Sequence, residues 1–197
     1  IGFTGELSYE IHVPSGYGMH VWETLLQAGQ RFGIMPFGME AQRVLRLEKA
    51  HIIVGQDTDA LSNPIAANMD WIVKLDKADF LGQRPLARIA AESPSQRLTG
   101  FKMNRSGPVP DEGLQIVQRN DDDKLEIIGW ITSSRFSPTL GEAIGLCWLP
   151  EELASRNHAN FTIHMNGRLE EAHVHHGAFY DPQGERLRMC LNSLWAI

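Results

Sequence analysis

Phe161-Thr162-Ile163-His164-Met165-Asn166-Gly167-Arg168-Leu169-Glu170-Glu171-Ala172-His173-Val174-His175-His176 reads as two strands folded back on one another. Asn-Gly is the pair that a two-residue type I′ turn asks for, because both central residues take positive φ. The flanks carry the β-branched and long apolar side chains that fit a pleated surface. Upstream, runs of the same kind recur at 98–103, 114–118, 125–132 and 143–148, separated by Gly, Pro, Asn and Asp. Asn120-Asp121-Asp122-Asp123 is one such turn. No helical period of consequence interrupts 98–176. Short strands joined by turn signals predict an antiparallel barrel or sandwich of about 100 residues.

Further upstream the pattern changes. Leu7, Tyr9, Ile11 and Val13 alternate with Ser8, Glu10 and His12, a period of two that predicts a half-buried strand. Pro14-Ser15-Gly16 ends it. A helix is predicted over 17–32, with Val21, Trp22, Leu25, Ala28 and Phe32 along one stripe. A second helix is predicted over 38–50 and a short one over 83–91. Ile52-Ile53-Val54 and 71–75 read as strands. Ser93-Pro94-Ser95 breaks the chain into two units: residues 1–92, mixed α+β, and residues 96–197, a C-terminal antiparallel β-barrel.

The 197 residues are 43% hydrophobic and 21% charged, a globular composition that excludes disorder, collagen and coiled coil. No apolar run approaches the roughly 18 residues of a membrane span, so no membrane association is expected. A net charge of −6 argues against a general nucleic-acid binder. Cys147 and Cys190 cannot build a disulfide framework and fit a reduced, cytoplasmic compartment. The chain opens Ile1-Gly2-Phe3, without Met or a basic leader, and is expected to be an internal cut of a larger protein rather than to carry a signal peptide.

Chemistry is carried by a few residues. At about 100° per residue, Glu40 and Glu48 fall inside the apolar arc of Ala41, Val44, Leu45 and Leu47. Arg43 lies at its edge, and Gln42, Arg46 and Lys49 form the wet face. A charge on an apolar arc needs a partner or a ligand. Glu40 with Arg43 at i,i+3 is one such pairing; the guanidinium fork of Arg43 also suits an anion or an acceptor-rich planar ligand. Glu10 lies on the polar side of its strand with Ser8 and His12. That side is either solvated or the lining of a cavity, where a carboxylate would offer two adjacent acceptors to a pterin or guanine edge. His173, His175 and His176 lack a third ligand at metal spacing, and no metal site is expected. No Gly-x-Ser-x-Gly, phosphate-binding loop or Gly-x-Gly-x-x-Gly is present.

Several ordered motifs carry a resemblance. Phe3-Thr4-Gly5-Glu6-Leu7-Ser8-Tyr9-Glu10-Ile11 resembles the "YTGE…YEI" segment of the glycine-cleavage T-protein (aminomethyltransferase) superfamily. Residues 38–49 resemble its "GxxARDxLRLEKG". Asn63-Pro64 with Ala67-Asn68-Met69-Asp70-Trp71 resembles "SPxxANMGW", and Asp79-Phe80-Leu81-Gly82 resembles "DFIGREAL". Residues 129–141 resemble "GxVTSGxFSPTLG". Residues 53–59 and 179–187 are most similar to the sarcosine oxidase α-subunit branch.

The resemblance implies the latter part of a folate-binding domain followed by a barrel, in a tetrahydrofolate-dependent one-carbon transfer enzyme. In such an enzyme the methylene group of an oxidised N-methyl amine is captured on folate. Flavin and NAD would be bound outside this chain, and other subunits of a hetero-oligomeric oxidase would be partners. A stand-alone aminomethyltransferase or demethylase and a non-catalytic folate-binding module are the alternatives. The resemblance assigns folate binding to Glu10 and to Arg43, the latter as the Arg of "ARD" with Val44 at the Asp. It places the family's catalytic Asp upstream of Phe3, where this chain has no residue for it.

Overall fold

The computed structural model describes residues 2–104 and 107–188. Its organising element is a closed antiparallel barrel of six strands: β1 (Gln96–Met103), β2 (Gln115–Arg119), β3 (Leu125–Ser137), β4 (Glu142–Pro150), β5 (Asn160–Met165) and β6 (Arg168–His175). Around the barrel the order is β1-β4-β3-β2-β5-β6, and β1 closes it onto β6. Closure leaves no strand edge unpaired, which is how an all-antiparallel sheet avoids edge-to-edge association. Asn166 and Gly167 take φ of 51° and 77°, and Met165 pairs with Arg168 across them, the turn the sequence predicts. One short helix, α4 (Glu151–Ala154), follows β4.

Period-two alternation fills the interior with Phe101, Met103, Ile116, Ile131, Cys147, Leu149, Phe161, Ile163 and Val174. Phe101 and Phe161 meet edge to face at 5.9 Å. On β4 a glycine is required at 145, where a Cβ would lie 2.2 Å from the Phe101 ring. β4 is buried on both faces: its outward Ile144, Leu146 and Trp148 form a second cluster with Leu47, Ala66, Ala67, Leu98 and Phe179. This outer cluster seats the first part of the chain on the barrel.

That first part holds α1 (Gly18–Gly29), α2 (Met39–Glu48) and α3 (Gln83–Glu92). Three predicted strands are absent. Residues 7–13 take no regular secondary structure and join no ladder among the described residues, and Tyr9 is 78% exposed. Alternation gives a strand its faces but does not supply the neighbour that satisfies its backbone. Residues 52–54 instead coil around a carboxylate: Ile53 N–H donates to Asp57 Oδ2 at 2.7 Å, and the amides of Gln56 and Asp57 return to the Ile53 carbonyl. Asp70–Ile72 is a single 3₁₀ turn closed by Val73 N–H on the Asp70 carbonyl at 2.9 Å. The apolar run at 71–75 signalled β-branching where turn hydrogen bonds decide.

Candidate functional site

The chemistry the fold gathers lies where α2 meets β3. Arg46, expected on the wet face of α2, is 2% exposed. Its Nη1 donates to Asp57 Oδ2 at 2.9 Å and to the His51 carbonyl at 2.9 Å, and its Nη2 donates to Ser133 Oγ at 2.7 Å. Asp57 also accepts the hydroxyls of Thr132 and Ser133 on Oδ1. Burial pushes the Arg46 guanidinium below its ordinary value, while the facing Asp57 carboxylate pulls the other way.

Two consecutive hydroxyls reach one carboxylate because β3 is irregular. Its register on β4 shifts between Ile131 and Ser133, a bulge that turns Thr132 and Ser133 to the same outer side. Gln56 Nε2 joins by donating to Ser133 Oγ at 2.9 Å and to the Thr132 carbonyl at 3.0 Å. Trp148 Nε1 donates to the Asp57 carbonyl at 2.9 Å. Ser137 Oγ donates to Glu48 at 2.6 Å, and Lys49 Nζ pairs with Asp181 at 3.5 Å. Of the residues that sequence reasoning left to water, Arg46 therefore packs on the barrel and Lys49 is tied to Asp181 beyond β6. A helical wheel fixes relative angles and not which way the partner lies. The signal that could have found this cluster is the polar run Thr132-Ser133-Ser134-Arg135 inside an otherwise apolar strand.

The expected ligand residues lie elsewhere. Glu10 is 88% exposed, with His12 Nε2 3.5 Å away. Arg43 pairs with Glu40 at 2.8 Å, the i,i+3 partner the sequence proposed. Glu40 also meets Arg135 of β3 at 3.1 Å, and Arg135 meets Glu112 at 2.8 Å, so the head of α2 is tied to the barrel through a chain of charges. Laid residue by residue on 38–50, the family pattern puts its Arg on Gln42 and its Asp on Arg43. The assignment of Arg43 to the family's Arg, with Val44 at its Asp, is out of register by one.

Of the histidines, His175 stacks on Phe179 at 4.7 Å, His173 lies 6.2 Å from His158, and His176 Nε2 is 2.7 Å from the Ala154 carbonyl. No group of three metal-ligating side chains occurs among the described residues. Cys147 is buried in the barrel interior, and burial pushes its thiol far up; Cys190 lies outside the described residues. No described helix is long and apolar enough to cross a membrane.

Two cavities flank the junction. One, of about 900 Å³, is lined by Phe3, His51, Met69, Trp71, Leu146 and His175 among others. The other, of about 520 Å³, lies between the 55–63 loop, the α3–β1 link and Trp130 with Trp148. Neither is lined by Glu10 or Arg43.

Comparison with known proteins bears on the whole arrangement. Residues 1–77 match the GCVT N-terminal domain, and residues 96–181 match the glycine cleavage T-protein C-terminal barrel domain. An aminomethyltransferase of Halothermothrix orenii is 38% identical over 154 residues, 78% of this chain and 42% of that protein. The sarcosine oxidase subunit alpha of Corynebacterium sp. strain P-1 is 36% identical over 200 residues, 94% of this chain and 19% of that protein. The chain thus spans less than half of the former and about a fifth of the latter. The crystal structure of glycine cleavage system aminomethyltransferase T from Bartonella henselae shares the fold, with a TM-score of 0.77 at 24% identity over 92% of this chain and 48% of that one.

Proposed function

Since the chain belongs to the glycine-cleavage T-protein (aminomethyltransferase) superfamily, we propose that it is the C-terminal part of a tetrahydrofolate-dependent one-carbon transfer enzyme of the sarcosine oxidase α-subunit kind. The observation that carries this reading is the tandem of two T-protein domains in one chain, aligned over 94% of its length with such a subunit. In this reading residues 1–92 complete a folate-binding region and residues 96–197 form the barrel domain. Partner subunits, flavin and NAD lie outside the chain, and the enzyme works in the cytoplasm. A stand-alone aminomethyltransferase is the second reading, favoured by the 38% identity to the Halothermothrix orenii protein.

Glu10 is the proposed pterin anchor. Its carboxylate is exposed, with two oxygens to offer the N–H and NH₂ of a pterin edge. That donor and acceptor match is the chemical fit. Tetrahydrofolate supplies the nitrogen that takes up the one-carbon unit; the residues of this chain hold and orient it. Arg43, a cation paired with Glu40, is the second proposed folate contact, on the chemistry of its guanidinium fork alone. Calorimetry of the full-length protein with tetrahydrofolate tests the assignment. Glu10→Gln replaces one acceptor by a donor facing a donor, and affinity is expected to fall roughly a hundredfold. Binding within twofold of wild type would remove Glu10 from the site. A dinucleotide fingerprint upstream in the full-length sequence would favour the oxidase subunit over the stand-alone transferase.

A further inference from the structure

The smaller cavity has a wall that the proposed folate chemistry does not use. Trp130 and Trp148 are cross-strand partners on the outer face of β3 and β4, stacked at 6.0 Å with 23° between their planes. Trp148 is buried and fixed by its bond to the Asp57 carbonyl. Trp130, resting on it, stays 41% exposed at the cavity wall. A large aromatic side chain stacked on a fixed neighbour and left partly open at a cavity wall is a poor use of apolar surface unless something covers it.

The rest of the lining says what kind of group that is. Asp59 and Glu92 both line the cavity, from the 55–63 loop and the end of α3, and no described lining residue is Lys, Arg or His. The Asp57 charge is already taken by Arg46. The Asp59 carboxyl accepts the amides of Leu61 and Ser62 and the Ser62 hydroxyl, all on Oδ1. Those bonds, the Ser62 hydroxyl foremost, hold it below the usual carboxylate range, so it stays ionised at neutral pH. A negative rim, an exposed indole face and no competing cation describe the recognition chemistry of an ammonium clothed in carbon. A volume of about 520 Å³ suits a small molecule.

We infer that the cavity between the 55–63 loop, the α3–β1 link and Trp130 binds a small alkylated ammonium compound, with the cationic head over the Trp130 ring and Asp59 and Glu92 supplying the counter-charge. The site is distinct from Glu10 and Arg43, neither of which lines it.

Choline and 3,3-dimethylbutan-1-ol, its uncharged isostere, separate a charge-reading site from a merely apolar one. Each is titrated into the chain while the indole N–H signals of the tryptophans are followed by NMR. The Trp130 signal should shift saturably with choline, at an affinity about tenfold or more above that of the isostere. Trp130→Leu, which keeps an apolar side chain without the π face, should abolish the preference for choline. Asp59→Asn with Glu92→Gln should weaken choline about tenfold and leave the isostere unchanged. A dispersed amide spectrum like that of the unaltered chain verifies that each variant is folded, and in Trp130→Leu binding is read from the indole signal of Trp148, which lines the same cavity. Equal affinities for the two probes, no saturable shift with choline, or choline binding unaltered in Trp130→Leu would each overturn the inference. No arm uses folate, so failure here leaves the folate reading standing.

Discussion

Asp57 is where most of the molecule's polar chemistry converges, so it is where single substitutions should weigh most. It faces Arg46 in a space closed to water, with both side chains 2% exposed or less. A buried ion pair adds little net stability, but breaking it leaves an uncompensated charge in a medium that cannot solvate it. Asp57→Ala is therefore expected to cost about 3–5 kcal/mol, read as a lowered urea midpoint. Pairing it with Arg46→Met should recover a large part of that loss, because the orphaned charge goes too. His175 gives the pH dependence. Burial, ahead of nearby Lys102, His158 and His173, depresses its pKa, and only the Ala178 carbonyl opposes this. The unfolded chain, titrating near 6.5, then binds the proton more readily than the folded one. Stability is fully present above that value and falls with pH down to the depressed folded value. A melting temperature lower at about pH 5.5 than at about pH 7.5 is expected, with a flatter profile in His175→Gln. Residue-level reading found the Glu40–Arg43 pair, which depends on local spacing alone. It missed Arg46–Asp57 because that pair joins α2 to a loop through the position of a barrel strand, and spacing along the chain contains no such information.

Elements were legible in proportion to how far they satisfy themselves. All six strands of the barrel show as short runs between turn signals, the Asn166-Gly167 hairpin most plainly, although β3 runs on to Ser137, beyond the predicted 125–132. Gly167 holds φ of 77°, where any Cβ is strained, so Gly167→Ala should cost about 1–2 kcal/mol and shift the urea midpoint without changing the slope. The bulge in β3 was not legible, since period-two patterning assumes an unbroken register. Yet it decides the site by sending Thr132 and Ser133 to the same side. Ser133→Ala removes a hydroxyl shared by Arg46, Asp57 and Gln56, leaving partners unsatisfied at about 1–3 kcal/mol. Thermal or urea unfolding of Ser133→Ala beside Ser134→Ala tests this. The Ser134 Oγ has no partner among the described atoms, so its loss should be the milder, and the reverse order would refute the bulge as the organising feature. The false strands at 52–54 and 71–75 failed for the complementary reason: a side-chain carboxylate and a 3₁₀ turn satisfy their backbone before any sheet can.

At the scale of the whole molecule, burial is unevenly shared. The barrel carries a closed core, and the outer cluster fastens α2 and the 50–69 loop to it. By contrast, α1 buries no residue, and its Trp22 is 51% exposed. An isolated helix of 12 residues is marginal in water, because most helical stability in proteins comes from packing an amphipathic face. The stripe of Trp22 and Leu25 has the spacing for such packing but no described surface to meet. Local opening of α1 should therefore need little free energy, whereas opening of β1 and β4 should require global unfolding. Hydrogen exchange followed by mass spectrometry is expected to show rapid exchange across 18–29 and strong protection across 98–103 and 142–150. Adding chain upstream of Phe3, as the proposed one-carbon transfer enzyme would have, should slow exchange across 7–13 and 18–29 and leave the barrel strands unchanged. Protection of α1 equal to that of β4 in this chain alone would mean that the helix is stable without a partner. The segment bearing Glu10 would then have to be a finished surface rather than one face of a cavity still to be closed.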